Sequence, residues 1–306
     1  MTVLRVATSA FPTTADPASN VRWIRKHLRQ AAHDGAQVVH FCEGALSGYV
    51  PGDLASLDGY DWPSLTRASE SVAALAADLG LTVVVGSTHR LSAPHKPHNS
   101  VFVVGPDGAI RDRYDKRFCA GPRDGAEELA HYAPGDHPST FEVAGVRCGV
   151  LICHEYRYPE LFRQYVQLGV RVVFHSFHAA HVPPDRWEAM HAATGPENHR
   201  HHGGVGTLPG ITMPATLISM AANNALWVSA ANSSARQSCF GSFAVRPDGV
   251  MVGRLPRNRS GLLLTDIDLS TPYYDSTRAW RDRAIAGIFH SGTQVDDPRS
   301  KDRSSF

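Results

Sequence analysis

Apolar and polar positions along the chain fall into short blocks, and their spacing predicts strands and helices in turn. Residues 3–9 alternate as a strand, and VRWIRKHLRQAAHDG carries apolar residues at helical spacing up to a glycine stop at Gly35. QVVHFCE reads as a strand ending in an acid, GALSGYVPGD as a loop, and Trp62 to Leu79 as a helix. LTVVVGSTHR, SVFVVGPDG and AIRDRYDKRF follow as strands, the last two joined by a Pro-Asp-Gly turn. Ser139–Glu142 and Val146–Ile152 then read as a hairpin, succeeded by a helix over 160–168 and the strand VRVVFHSF. A long His/Gly/Pro segment reads as loop; MPATLISMAANN is helix-like, and LWVSAAN, FGSFAVRPDGVMVGRL and GLLLTDIDL supply the last strands.

No composition break marks a linker and no fixed repeat appears, so residues 1–292 read as one α/β domain. The charged, Ser-rich tail 293–306 is expected to be disordered or to lie as an arm on a partner subunit. Formal net charge is +1 with the signs interspersed, which leaves no electrostatic footprint for nucleic acid or an anionic membrane. Five cysteines, an odd number without CxxC spacing, fit a reducing cytoplasm. The N-terminus shows no cleavable signal and no apolar run reaches membrane-spanning length, so a soluble, cytoplasmic protein acting on small molecules is expected.

The sharpest change of polarity lies in VAGVRCGVLICHEYRYPE, residues 143–160. Val150, Leu151 and Ile152 end a buried strand, whereas His154, Glu155, Tyr156 and Arg157 require polar partners if buried. Pro159 suits the first turn of a helix, so Cys153 occupies a strand–helix elbow that lifts its sulfur out of the sheet. A lone cysteine is most often a small core residue, and reactivity needs partners. Two other strand ends offer them: Glu43 after QVVHFC, and Lys116 after AIRDRYD. A carboxylate takes a thiol proton, and an ammonium stabilises first a thiolate and then an oxyanion. Singly, Glu43 reads equally as a loop acid and Lys116 as an edge-strand lysine. Seventeen histidines raise the question of a metal, but HSFHAAH lacks a nearby cysteine or HExxH pattern, and NHRHH sits in a loop-like stretch; no metal site is expected.

The wording around these residues resembles a known family. FCEGALSGY is similar to the glutamate motif of the nitrilase superfamily of carbon–nitrogen hydrolases, DRYDKRF to its lysine motif and GVLICHEYRYPELFR to its cysteine motif, in the same order. EELAHYAPGD resembles the loop bearing a second glutamate, here Glu128, and the likeness continues through MAANNALWVSAAN and FGSFAVRPDG, covering roughly residues 3–270. The resemblance implies a four-layer α-β-β-α sandwich assembled as a homodimer or higher homo-oligomer, and no metal or organic cofactor. It implies Cys153 as nucleophile, Glu43 as general base for thiol and water, and Lys116 sharing the oxyanion with the backbone N–H of His154. Glu128 would position Lys116 or relay a proton to the leaving amine.

Within that family the amidase and carbamoylase branch fits best, so cleavage of a small linear amide or N-carbamoyl compound is expected. A nitrilase using the same Glu-Lys-Cys site on a small nitrile is the alternative, and an inactive binding or scaffold relative the third. The wording after Cys153 is mixed: His154-Glu155 leans to the nitrilases in its C-x-E, Arg157-Tyr158-Pro159 to the amidases and carbamoylases. Met220 and Asn223 replace the Arg and Glu of a family motif, so a family salt bridge is expected to be absent. His154, Arg157, Tyr49, Trp187 and His178 are candidate substrate-binding residues; Arg157 suits a carboxylate or a local acid, and His178 and His181 a pocket wall or a surface turn. The stretch from Trp187 to Met220 is longer than in many members and reads as a long loop, a pocket lid in preference to an oligomer contact.

Overall fold

The computed structural model describes residues 3–304; residues 1–2 and 305–306, the extremes of the expected domain and tail, lie outside the described residues. In chain order the first half gives β1 (Val3–Ala10), α1 (Pro17–His33), β2 (Val38–His40), α2 (Trp62–Leu79), β3 (Thr82–His89), β4 (His98–Val104), β5 (Ile110–Asp115) and α3 (Glu128–His131). The second half gives β6 (Thr140–Val143), β7 (Val146–Ile152), a 3₁₀ turn (Cys153–Arg157), α4 (Pro159–Gln167), β8 (Val172–Phe177) and α5 (Pro184–Thr194). A 3₁₀ helix (Pro196–His202), α6 (Leu208–Asn224), β9 (Trp227–Asn232), β10 (Phe243–Val245), β11 (Met251–Arg254) and β12 (Gly261–Asp268) follow, and α7 (Arg281–Ile285) and α8 (Pro298–Lys301) end it.

The strands form two six-stranded sheets, β12-β1-β2-β3-β4-β5 and β11-β10-β9-β8-β7-β6. Each has a parallel centre, β1-β2-β3 or β7-β8-β9, and antiparallel flanks. The period-2 rule assigns the faces. Val6, Val38 and Val84 join the core shared with the second sheet, while Ala7, Val39, Val83 and Val85 pack beneath α1 and α2. α4 and α6 cover the second sheet through Leu161, Phe162, Leu217 and Ala221. This is the expected α-β-β-α sandwich, and among the described residues no helix is long and apolar enough to cross a membrane.

Where the sheets meet, a buried polar ladder sets their register. Thr8 Oγ1 and Ser229 Oγ are 2.7 Å apart, His40 lies 2.8 Å from Ser229 and 3.0 Å from Ser176, and Ser176 donates to Phe41 O at 3.0 Å. Burial holds the His40 pKa well below its ordinary value, so a neutral ring bridges the two sheets. Glu43 N–H donates across the interface to Phe177 O at 3.3 Å, which fastens the end of one sheet's parallel centre to the other's.

Several boundaries differ from the sequence reading. α1 begins one turn earlier, at Pro17, because Asp16 caps it by accepting from Ala18 and Ser19 N–H and proline suits the first turn. β2 stops at His40, not Glu43. The stretch after Trp187 is no long loop: α5, the 3₁₀ helix through NHRHH and the early start of α6 at Leu208 fill it. Asn223 donates to Ser219 Oγ at 3.0 Å, a hydrogen bond within α6. Residues 293–304 are exposed and include α8.

Candidate active site

The apolar end of β7 delivers Cys153 to the sandwich interior, and its φ of 44° places it in the left-handed region that side chains beyond glycine seldom occupy. That bend starts the 3₁₀ turn, and Pro159 then opens α4. Cys153 is half-buried and lines a cavity of about 630 Å3. Tyr49, Glu128, His154, Arg157 and His178 line the same cavity.

Behind the sulfur lies a buried charge network. Lys116 follows β5, its backbone pinned by donation to Asn99 O at 2.9 Å. Its Nζ donates to Glu43 Oε1 at 2.9 Å and to Glu128 Oε1 at 2.6 Å, with all three side chains shut from solvent. Asn99 Nδ2 donates to Glu43 Oε1 at 2.7 Å, whereas Glu43 Oε2 is buried with no partner. Glu128 also accepts from Tyr49 OH at 2.6 Å and from Ala120 N–H. Burial alone would lower the Lys116 pKa, but Glu128 and Glu43 raise it well above its ordinary value. Burial likewise works against the Glu128 charge, yet Lys116 and the Tyr49 and Ala120 donors hold that carboxyl below its usual range. Cys153 goes the other way: burial, then Glu43, push its thiol well above the ordinary value, against Lys116 and the His178 backbone N–H. Burial first, and then the neighbouring carboxylates, thus favour a thiol over a thiolate at rest, while Glu43 Oε2 is left without a partner in the same network.

Glu43, Lys116, Glu128 and Cys153, drawn from four separate segments, therefore meet at one end of the sandwich. Trp187 does not join them. It lies on α5 in an adjoining cavity of about 580 Å3, where the Arg257 guanidinium sits 4.9 Å from its ring and His191 packs at 5.4 Å. α5 instead turns Arg186 and Met190 toward the Cys153 cavity, and α6 adds Pro209 and Met213, so through Met190, Pro209 and Met213 the inserted stretch forms part of its wall.

Sequence reasoning passed over Asn99, although an asparagine opening an otherwise apolar strand was a visible signal. It also gave no role to Asp53, which ties His178 and His181 together. Donor atoms of Asp53, His178 and His181 lie within 4.8 Å of one another, close enough to share an ion. In this structure each Asp53 oxygen faces one imidazole nitrogen at hydrogen-bond distance. A metal ligand would place its ring hydrogen on a partner, but His178 Nδ1 is buried without one, so the trio fits a hydrogen-bonded relay better than a metal centre.

The carbon-nitrogen hydrolase family model matches residues 5–274. An omega-amidase of Homo sapiens is 25% identical over 208 residues, 65% of this chain and 72% of that protein. A hydrolase of Mycobacterium tuberculosis is 25% identical over 173 residues, 56% of this chain and only 59% of its own length. Among solved structures, an amidase of Nesterenkonia sp. AN1 superposes with a TM-score of 0.68 at 23% identity, covering 93% of this chain and 99% of that one. A form of it carrying the acetamide moiety of fluoroacetamide on its active-site cysteine gives 0.66 at 23% identity, over 86% and 90% of the two chains. With a family model running through both sheets, the chain belongs to the carbon-nitrogen hydrolases.

Proposed function

We propose that the protein hydrolyses a small linear amide or N-carbamoyl compound through an acyl-thioester on Cys153, releasing ammonia or an amine. The observation that carries this reading is the buried Lys116 ammonium between Glu43 and Glu128, with Glu43 Oε2 unpaired, beside a thiol that needs a base. Glu43 takes the thiol proton as sulfur attacks the carbonyl carbon. Lys116 and the backbone N–H of His154 stabilise the resulting oxyanion, the C–N bond breaks, and water then cleaves the thioester. Glu128, ionised and with both oxygens occupied, acts by positioning Lys116 and has no proton to give.

Amidase relatives favour an amide over a nitrile. The C-x-E wording does not favour a nitrile, since Glu155 faces backbone donors and not the cavity. Arg157 and Arg186 line the cavity without a carboxylate partner among the described residues, which suits an acyl or ureido chain bearing a carboxylate. The test is ammonia release from a panel of carboxamides, ureido acids and nitriles, with intact-mass detection of an adduct on Cys153. Turnover of amides or ureido acids with an acyl adduct is expected; a panel wholly inert, or amide turnover that survives Cys153→Ala, overturns the proposal.

A further inference from the structure

His175 lies within β8, paired with Leu151 of the parallel strand β7, two residues before Cys153. Its ring is fully buried in the layer beneath α4, with ring centres 4.3 Å from Phe177 and 6.1 Å from Phe162. A histidine in so apolar a layer needs a polar partner, and it has one: Nε2 lies 3.1 Å from the carbonyl oxygen of Cys153. A carbonyl only accepts, so the hydrogen is on Nε2. Burial lowers the ring's pKa to about 3, which leaves Nδ1 without a hydrogen, and Nδ1 is buried with no partner. Phenylalanine would fill the same layer without that uncompensated lone pair, so packing alone does not account for the residue.

The hydrogen bond acts on the peptide that joins Cys153 to His154. At φ 44° the Cys153 backbone is in a conformation that persists only where its surroundings over-determine it. The 3₁₀ turn that it opens supplies i→i+3 bonds of poor geometry, so a lateral donor has leverage on the plane of the turn's first peptide. That peptide is planar and trans, so a carbonyl drawn to His175 turns the N–H of His154 the opposite way. As the second residue of the turn, His154 carries an N–H that precedes the first intrahelical bond and is open to another acceptor. We infer, resting on the acyl-thioester reading, that His175 is a positioning residue: by donating to Cys153 O it fixes the Cys153–His154 peptide so that His154 N–H faces the oxyanion formed when sulfur adds to the carbonyl carbon. An oxyanion donor works through an orientation set before the reaction begins, and this bond sets it. His175 itself moves no proton, and a ring kept neutral by burial adds no titration of its own to the pH profile near neutrality.

The experiment removes the donor while keeping shape. His175→Phe retains the stacking ring, and His175→Gln and His175→Met are a pair of near-equal shape of which Gln alone can donate. Each is assayed for amide turnover and for inhibition by the aldehyde of the same acyl group, which adds to the sulfur and places an oxygen where the oxyanion forms. Modification of Cys153 by methyl methanethiosulfonate, which has no carbonyl, reports the thiol without the oxyanion site. In His175→Phe and His175→Met, kcat should fall about 10- to 100-fold with KM changed less than about 3-fold, and aldehyde affinity should fall by a similar factor. The thiosulfonate rate should stay within about 3-fold of wild type, and His175→Gln should keep kcat within about 5-fold. Unchanged kcat and aldehyde affinity in the two variants without a donor, or His175→Gln no better than His175→Met, overturns the inference. So does an equal loss of thiosulfonate reactivity, which would show a disordered cysteine turn. Should His175→Phe fail to fold, the Gln and Met pair decides alone. Cys153→Ala, run alongside, keeps the two ideas apart: amide turnover that survives it fails the thioester reading itself, whatever the His175 variants do.

Discussion

Glu155 Oε2 accepts the backbone N–H of Ile152 at 2.7 Å, immediately before the nucleophile candidate, while its Oε1 takes Arg117 N–H at 2.8 Å, immediately after Lys116. One buried carboxylate thus staples the cysteine elbow to the lysine-bearing strand end, with Tyr114 OH at 2.7 Å and Phe118 N–H at 3.3 Å completing its shell. Replacing it by Gln turns one acceptor into a donor that faces N–H or O–H groups. Glu155→Gln is expected to cost about 1–3 kcal/mol of stability and to lower kcat more than it raises KM, because Lys116 and Cys153 lose their common tether. Urea unfolding with steady-state kinetics checks this; wild-type kcat in a destabilised variant would show that the clamp serves the fold alone.

Tyr49 stands between the cavity and the charge network. Its hydroxyl donates to Glu128 Oε1, the same oxygen that holds Lys116, and its ring lies 4.9 Å from that of His178. Tyr49→Phe keeps the wall and deletes only the hydrogen bond to an ionised group, which is worth about 1.5–3 kcal/mol. A fall in kcat of about 10- to 100-fold, with little change in KM, is the expected result of steady-state assays.

The left-handed backbone at Cys153 sets stability against chemistry. A φ of 44° strains any residue with a Cβ by about 1–2 kcal/mol, and glycine escapes it. Cys153→Ala keeps the strain and loses the sulfur, so it should fold normally and be inactive. Cys153→Gly should be more stable than Cys153→Ala by about 1 kcal/mol in urea unfolding, although glycine elsewhere is usually the weaker choice. The opposite order would remove strain as the reason for the shape of this turn.

Much of this was legible in the sequence, and the reason is local. β7 runs apolar to Ile152 and then turns polar at once, so the elbow announces itself; α2 was delimited by Pro63 and Gly80 at its ends. QVVHFC is apolar and reads as strand up to Glu43, yet after Phe41 N–H pairs with Val84 O the chain departs, and Glu43 N–H reaches Phe177 O in the other sheet, a pairing no local pattern records. α5 buries only Thr194 and so carries no apolar stripe to mark it in the sequence, and it places Trp187 in the adjoining cavity. The Asp53 relay joins residues 125 positions apart, and only tertiary structure brings them together.

That relay also governs the acid side of the stability profile. Asp53 and Glu128 both have folded-state pKa values below their ordinary 3.8 and 4.5, so each contributes stability that is full above those values and is lost as pH falls through and below them. Each carboxylate adds up to about 1.4 kcal/mol per pH unit to the slope of unfolding free energy in that window. His178 has the opposite sign: burial lowers its pKa, Asp53 more than restores it, and the raised value gives stability that is full below 6.5 and fades as pH rises past the folded value. Asp53→Asn should therefore be destabilised at pH 6 but show a flatter acid limb between pH 4 and 2. Urea midpoints across that range check it, and parallel limbs would mean that Asp53 ionises no more easily in the fold than outside it.

The cavity's charge makes a last distinction, between substrates rather than variants alone. The Arg157 guanidinium sits 4.8 Å from the Tyr156 ring, and Arg186 reaches the same wall from the first turn of α5, just ahead of the inserted stretch. Both are exposed, so water screens them and each is worth little alone. Arg157→Leu and Arg186→Leu should each raise KM for a carboxylate-bearing amide about 3- to 10-fold while leaving a neutral amide of equal length unchanged, and added salt should blunt the difference in the wild type. Neutral and anionic amides losing affinity alike would mean that the arginines shape the wall without reading charge. An effect confined to Arg157 would leave α5 as a cover over the cavity and return substrate selection to the turn that follows Cys153.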